Sequence, residues 1–209
     1  AKGQMEQAML AEEKADKRSQ ARLKQLQNSQ GQKQKIKIDP IKSNREMKAM
    51  RRYQDAIDMA QKVAEEFPDH AKLHTWWGIS LVKLKKKGEA INHFIIAAKK
   101  DPTDEKAHLY WGLTLAMDEE FEEAIKHYRT VLEINPEHSN AYAYWGASLN
   151  ALEKYEESLA KLDESIALHP LNNTAYAIRV DVLYNLKQYE KAWQIVKKAR
   201  AENISIPQG

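Results

Sequence analysis

Cysteine is absent from the 209 residues, which excludes disulfides, thiolate metal sites and cysteine nucleophiles together. Glycine is scarce, at seven, and no glycine-rich phosphate loop, serine elbow or paired-carboxylate motif occurs. No apolar run approaches the ~20 residues that cross a bilayer, and no signal-peptide pattern opens the chain. Little is left for catalysis to rest on, so no enzyme activity and no cofactor are expected. The start at Ala1, without methionine, is what a processed or trimmed fragment would show. A cytoplasmic location is expected, with a periplasmic or membrane-anchored one open for a fragment of a longer protein.

What the chain does have is a period. Pro68, Pro102, Pro136 and Pro170 return every 34 residues, and the pairs Trp77-Gly78, Trp111-Gly112 and Trp145-Gly146 keep the same spacing. Two series locked to one period mark an array of one supersecondary unit, and units of this length build helical solenoids. In register, the rows are 37–70, 71–104, 105–138, 139–172 and 173–206. Each reads as two helical stretches split near the middle, at segments such as Lys85-Lys86-Lys87-Gly88 and Asp118-Glu119-Glu120. Small residues recur in the second stretch at Ala56, Ala90, Ala124, Ser158 and Ala192, with Phe94, Tyr128 and Leu162 four positions later in the central rows. Closely crossing helices need that small-against-large alternation. Each proline falls just past a second stretch, where a helix must stop. Asp39-Pro40 offers an N-cap and a first helical residue for the opening row.

The row Glu105 to His138 resembles the tetratricopeptide repeat family: Gly112, Leu115, Ala124, Tyr128 and Pro136 stand where that family's pattern expects its glycine, large residue, alanine, aromatic and proline. Residues 71–172 match well and the outer rows partly, with Asn44 and Val180 in the glycine position. The resemblance implies an all-α, right-handed superhelical solenoid of helix-turn-helix repeats over 37–206, whose concave groove binds protein. Trp77, Trp111 and Trp145 take the family's usual leucine, while His74, His108, Tyr142 and Tyr176 take its tryptophan. This reads as an exchange of volume within the core. The lysine-rich clamp by which some members of the family grip acidic chaperone tails is missing, since Thr75, Ile79, Tyr110, Asn140 and Tyr144 occupy its places.

At about 100° per residue, the first helix of row 105–138 has two apolar stripes. His108, Trp111, Gly112 and Leu115 form the signature stripe; Lys106, Leu109, Tyr110, Leu113 and Met117 lie opposite, toward the groove. The same face carries Lys72, Trp76, Ile79 and Val82 one row earlier, Asn140, Tyr144 and Asn150 one row later, and Ile178 and Tyr184 in the last row. These residues are the candidate partner-binding groove: an aromatic ladder of Trp76, Tyr110 and Tyr144 for apolar anchors, and asparagines that can hold a peptide backbone. Packing between neighbouring first helices is the other reading of the ladder.

Net charge is unevenly spread. Residues 1–52 hold 14 Lys and Arg against 6 Asp and Glu, and the remainder 19 against 24. Residues 1–36 read as a Gln- and Lys-rich leader, a marginal helix followed by a linker. The basic stretch 14–52 could lie on anionic lipid; it lacks the interleaved aromatics of a single-strand nucleic-acid binder, so nucleic acid is not expected. Trp193 stands where earlier rows place Ile91, Ile125 and Leu159 against the following repeat, and no further helix follows it. A homo-oligomer through this end, cover by sequence absent from this chain, or a tail folded back onto it, is expected. The histidine pairs His74/His108 and His93/His127 are each spaced by the repeat and reflect duplication, so no metal site is expected. The leading function is therefore a non-catalytic adaptor that holds a partner peptide or helix, within a bacterial assembly or envelope complex. A self-assembling structural protein and a membrane anchor are the alternatives.

Overall fold

The computed structural model describes residues 40–205. Among them are nine α-helices and no strand: α1 Pro40–Glu66, α2 Ala71–Lys83, α3 Lys87–Lys100, α4 Glu105–Ala116, α5 Phe121–Ile134, α6 Ser139–Ala151, α7 Tyr155–Leu168, α8 Asn173–Asn185 and α9 Tyr189–Ala201. The chain divides into two units, Ala1–Lys48 and Ala49–Gly209. The leader, 1–36, lies outside the described residues, as does most of the basic stretch 14–52. Of the first unit only the opening of α1, from Pro40, is described, and the expected cap Asp39 lies outside the described residues. The second unit is the helical array.

Caps explain where its helices begin and end. His70, Asp104, His138 and Asn172 stand 34 apart, and each side chain accepts a backbone N–H from the first turn of a first helix. The first helices end on left-handed residues, Lys85, Glu119, Glu153 and Lys187, with φ of 62°, 63°, 59° and 58°. The next N–H then reaches back to a buried leucine carbonyl: Lys86 to Leu81 at 2.9 Å, Glu120 to Leu115 at 3.0 Å, Lys154 to Leu149 at 2.9 Å, Gln188 to Leu183 at 2.8 Å. This closes each helix pair by the hydrogen-bond pattern of a Schellman turn, without glycine. Gly88, expected at the break, lies one residue inside α3 instead.

Within a pair, glycine meets a large side chain. A Cβ added to Gly78 would fall 2.5 Å from the Phe94 ring, one at Gly112 2.6 Å from Tyr128, and one at Gly146 3.0 Å from Leu162. The small residues that precede these large ones, Ala90, Ala124 and Ser158, are fully buried, and Ser158 donates its hydroxyl to the Gly146 carbonyl at 2.7 Å. Between pairs, Ile91 packs onto the cluster of Leu109, Leu115, Tyr128 and Val131, and Leu159 onto that of Ala143, Ala175 and Val182. First helices approach the next first helix, α2 to α4, α4 to α6 and α6 to α8, whereas no such approach occurs between second helices among the described residues. The first helices therefore line the inner side of the array.

Row 37–70 departs from expectation. The sequence predicts a helix pair there, and one continuous helix, α1, runs through it. The counterpart of the left-handed residue is Arg51, among the helix formers Lys48, Met50 and Arg52. A non-glycine left-handed residue costs about 1–2 kcal/mol, which fold-back contacts offset in the later rows. In α1 that conformation is not adopted.

Glycine positions should sort by crossing. Gly112→Ala should cost about 1–3 kcal/mol through overpacking. Gly88→Ala, whose Cβ meets nothing within 4 Å, should be neutral or stabilise by up to about 1 kcal/mol. Urea denaturation of the two variants reads the contrast directly.

Candidate protein-binding groove

Among the described residues, two clefts of different chemistry open beside Trp76 and Met117, and another of about 450 Å³ lies around Asn140 and Asn172. The first, of about 400 Å³, is lined by Lys72, Thr75, Trp76, Asp101, Asp104 and Lys106 among others. Trp76 is 56% exposed, and the Lys106 ammonium stands 4.9 Å from its ring centre. The floor is fixed by Asp104, which accepts the Thr75 hydroxyl at 2.6 Å with one oxygen and caps α4 with the other. Hydrogen bonds from the Thr103 hydroxyl and N–H hold the Asp101 carboxyl below its ordinary pKa. The cleft thus pairs an open indole with fixed charges of both signs.

The second cleft, of about 270 Å³, lies between α4, α5 and α6 and is almost wholly apolar, lined by Leu113, Ala116, Met117, Phe121, Tyr128, Tyr144, Ala147 and Ser148. Tyr128 and Tyr144 meet at 6.1 Å between ring centres, tilted by 39°. Burial raises the pKa of both phenols. The Ser148 hydroxyl is buried without a hydrogen-bond partner, and it lines the same cleft as Tyr128.

Not every residue of the expected groove faces solvent. Ile79 and Leu109 are buried in the core clusters, so they are packing residues and not groove anchors. Val82, Tyr110, Leu113, Tyr144 and Ile178 are half-buried against those clusters. Helical periodicity cannot separate a side chain facing the neighbouring first helix from one facing the open groove, because the two directions lie within one turn of each other. Lys72, Trp76, Lys106, Met117, Asn140 and Tyr184 are exposed. The Asn140 and Asn150 side-chain oxygens are engaged by Asn172 at 3.0 Å and Asn185 at 3.1 Å, which leaves less acceptor capacity for a peptide than the sequence suggests. Tyr184 meets Tyr189 edge-on at 5.3 Å.

At the far end, Trp193 is 51% exposed, with Lys197 and Arg200 of its own helix over the ring. Ile204 folds back, but against Tyr176 and Ala199 and not onto Trp193. Ile206 lies outside the described residues. Among the described residues no helix is long and apolar enough to cross a membrane, and no cluster of three metal-ligating side chains is present.

Family models for the tetratricopeptide repeat match residues 105–138 and residues 145–205. Residues 105–138 and 145–205 carry tetratricopeptide repeats. Its fold is similar to a crystal structure of MamA at 18% identity, a match covering 72% of this chain and 88% of that one with a TM-score of 0.66. MamA 41-end from Desulfovibrio magneticus RS-1 is similar at 17% identity over 76% of this chain and 91% of that one, also at TM-score 0.66. At such identities the likeness concerns the fold. Comparison with curated proteins finds no match.

Inside the helix pairs, the histidines do something that spacing did not show. His74 Nδ1 meets His93 Nδ1 at 2.9 Å, and His74 Nε2 meets the Pro68 carbonyl at 3.1 Å; His108, His127 and Pro102 repeat the pattern at 3.3 and 3.3 Å. The carbonyl requires an N–H on Nε2 of the first histidine, so its Nδ1 accepts and the second histidine donates. Trp77 and Trp111 stack on His93 and His127 at 4.0 Å. In the next row Lys161 takes the histidine's place, 4.4 Å over Trp145. The exchange against the family pattern is thus a hydrogen-bonded tie between first and second helix as well as a matter of volume.

A second proton would set donor against donor in these pairs. His93 and His127 are lowered to about 4, first by burial and then by the facing histidine, with Glu89 and Glu123 opposing. His108 is lowered too, by burial. Between pH 6.5 and 4 the unfolded chain binds protons that these folded histidines refuse, so stability should fall as pH drops through that window. The urea midpoint should decline from pH 7 to pH 5, and more shallowly in His93→Asn/His127→Asn, where the amide can still donate. Equal slopes would contradict the tie.

Proposed function

We propose that the chain is a non-catalytic adaptor whose inner face captures a partner peptide or helix. The observation that carries this reading is the exposed apolar chemistry of the first helices: Trp76 beside its charged cleft, and Met117 at the mouth of the apolar cleft floored by Tyr128 and Ser148. A contiguous apolar lining on an inner face is costly to leave wet and suits a ligand that inserts one apolar side chain. A partner helix with an apolar anchor for the second cleft, and a polar or charged group for the Lys72–Lys106 cleft, fits both. The repeats and the likeness to MamA structures support a protein-interaction scaffold, and the bacterial assembly or envelope setting is part of this proposal.

Binders selected from a displayed peptide and helix library should lose at least ten-fold affinity for Trp76→Ser/Met117→Ser. The double variant should keep its stability within about 0.5 kcal/mol per site, since both side chains are exposed. Tyr110→Ala and Leu113→Ala should instead cost roughly 0.5–3 kcal/mol each, as half-buried packing residues do. Binders indifferent to Trp76 and Met117 would overturn the groove reading.

A further inference from the structure

The last helix pair turns to solvent a side that the earlier pairs pack against the following row. Along one side of the second helices, spaced by four and three residues, stand Ile91, Ile95 and Ala98 in α3, Ile125, Arg129 and Leu132 in α5, and Leu159, Asp163 and Ile166 in α7. The apolar members of these sets are half-buried. Leu159 and Ile166 pack onto the cluster that holds Ala175 and Val182 of α8, and Asp163 accepts a hydrogen bond from Arg179 of α8. In α9 the same three positions are Trp193, Lys197 and Arg200, and all three are exposed. One turn earlier Tyr189 is 53% exposed, whereas its counterpart Tyr155 is half-buried on the α8 cluster.

Shape and charge together say what fits this side. The occupant in every earlier row is a helix, since α3 meets α4, α5 meets α6 and α7 meets α8. The side chains left open on α9 are therefore those that ridges-into-grooves packing would engage. Their charge is new. Lys197 and Arg200 stand 5.9 and 5.5 Å from the Trp193 ring centre, and among the described residues neither is in an ion pair. Lys197 takes the place of Asp163, whose partner on the covering helix is Arg179. The sign of the pair is reversed, so an occupant needs a carboxylate where α8 carries Arg179.

A second α9 would set Lys197 and Arg200 against their own kind, and residues 1–52, with 14 Lys and Arg against 6 Asp and Glu, carry the wrong sign as well. We infer that the outer side of α9 docks an acidic amphipathic helix of a partner protein, which takes the place of a further first helix. Its apolar stripe covers Trp193 and Tyr189, and its carboxylates pair with Lys197 and Arg200. This surface is distinct from the inner groove and does not depend on it.

The probe is a displayed library of amphipathic helices, selected on the full chain carrying Trp76→Ser/Met117→Ser so that the inner groove takes no part. Selected helices should carry Asp or Glu beside an apolar stripe. They should lose about ten-fold affinity or more for Trp193→Ala and for Lys197→Glu/Arg200→Glu, with helical circular dichroism unchanged. Their binding should weaken as salt rises. Replacing the acids of a selected helix by lysine should restore binding to the charge-reversed chain, a rescue that mere loss of folding would not allow. Binders indifferent to these substitutions, or no binders at all, would overturn the inference. So would attachment of the wild type to phosphatidylserine vesicles that the same substitutions abolish, which would give the face to a lipid. A wild-type dimer in light scattering that Trp193→Ala dissociates would give it to a second copy and overturn it equally.

Discussion

Everything in this molecule depends on how closely two helices can cross. At Gly78, Gly112 and Gly146 the first helix gives up its side chain so that Phe94, Tyr128 and Leu162 can lie against its backbone. That contact sets the spacing within each pair. The pair then presents Ile91 or Leu159 to the next pair, and the first helices gather on the inner side. The groove is a consequence of the crossings, and its character follows from what remains exposed after the cores are filled. Trp76 and Met117 remain; Ile79 and Leu109 do not.

The polar ties follow the same period and are less uniform. Two rows lock their helices with a histidine pair under a tryptophan, the third puts Lys161 over Trp145, and the last hydrogen-bonded cap, Asn172, gathers Ser139, Asn140 and Ser165. Similar volumes are filled with different chemistry from row to row. An array of this kind tolerates such variation because each unit contacts only its neighbours.

The helix pairs from residue 71 onward and their crossings were legible in the sequence, because the 34-residue register of proline, Trp-Gly and the small residues repeats the physical constraint several times over. What a single row cannot repeat was not legible. The continuity of α1 turns on one left-handed residue at a position held by Lys, Glu, Glu and Lys elsewhere and by Arg here, and those residue types carry no turn signature. The histidine pairs join positions 19 apart on different helices, a separation that no helical period reports. The groove was legible as a face and not as a surface: periodicity gave the direction of Leu109 and Ile79, while the neighbouring first helix decided that they are sealed.

The account stands or falls on the crossings, and a double-mutant cycle at the central one measures them most directly. Gly112→Val/Tyr128→Val reproduces the pair that the last row carries at Val180 and Val196. Each single change should destabilise, the first by overpacking and the second by leaving a cavity. The double variant should recover more than about 1 kcal/mol relative to their sum, as touching residues do. Additive costs in urea denaturation would contradict the claim that this contact sets the spacing of the array.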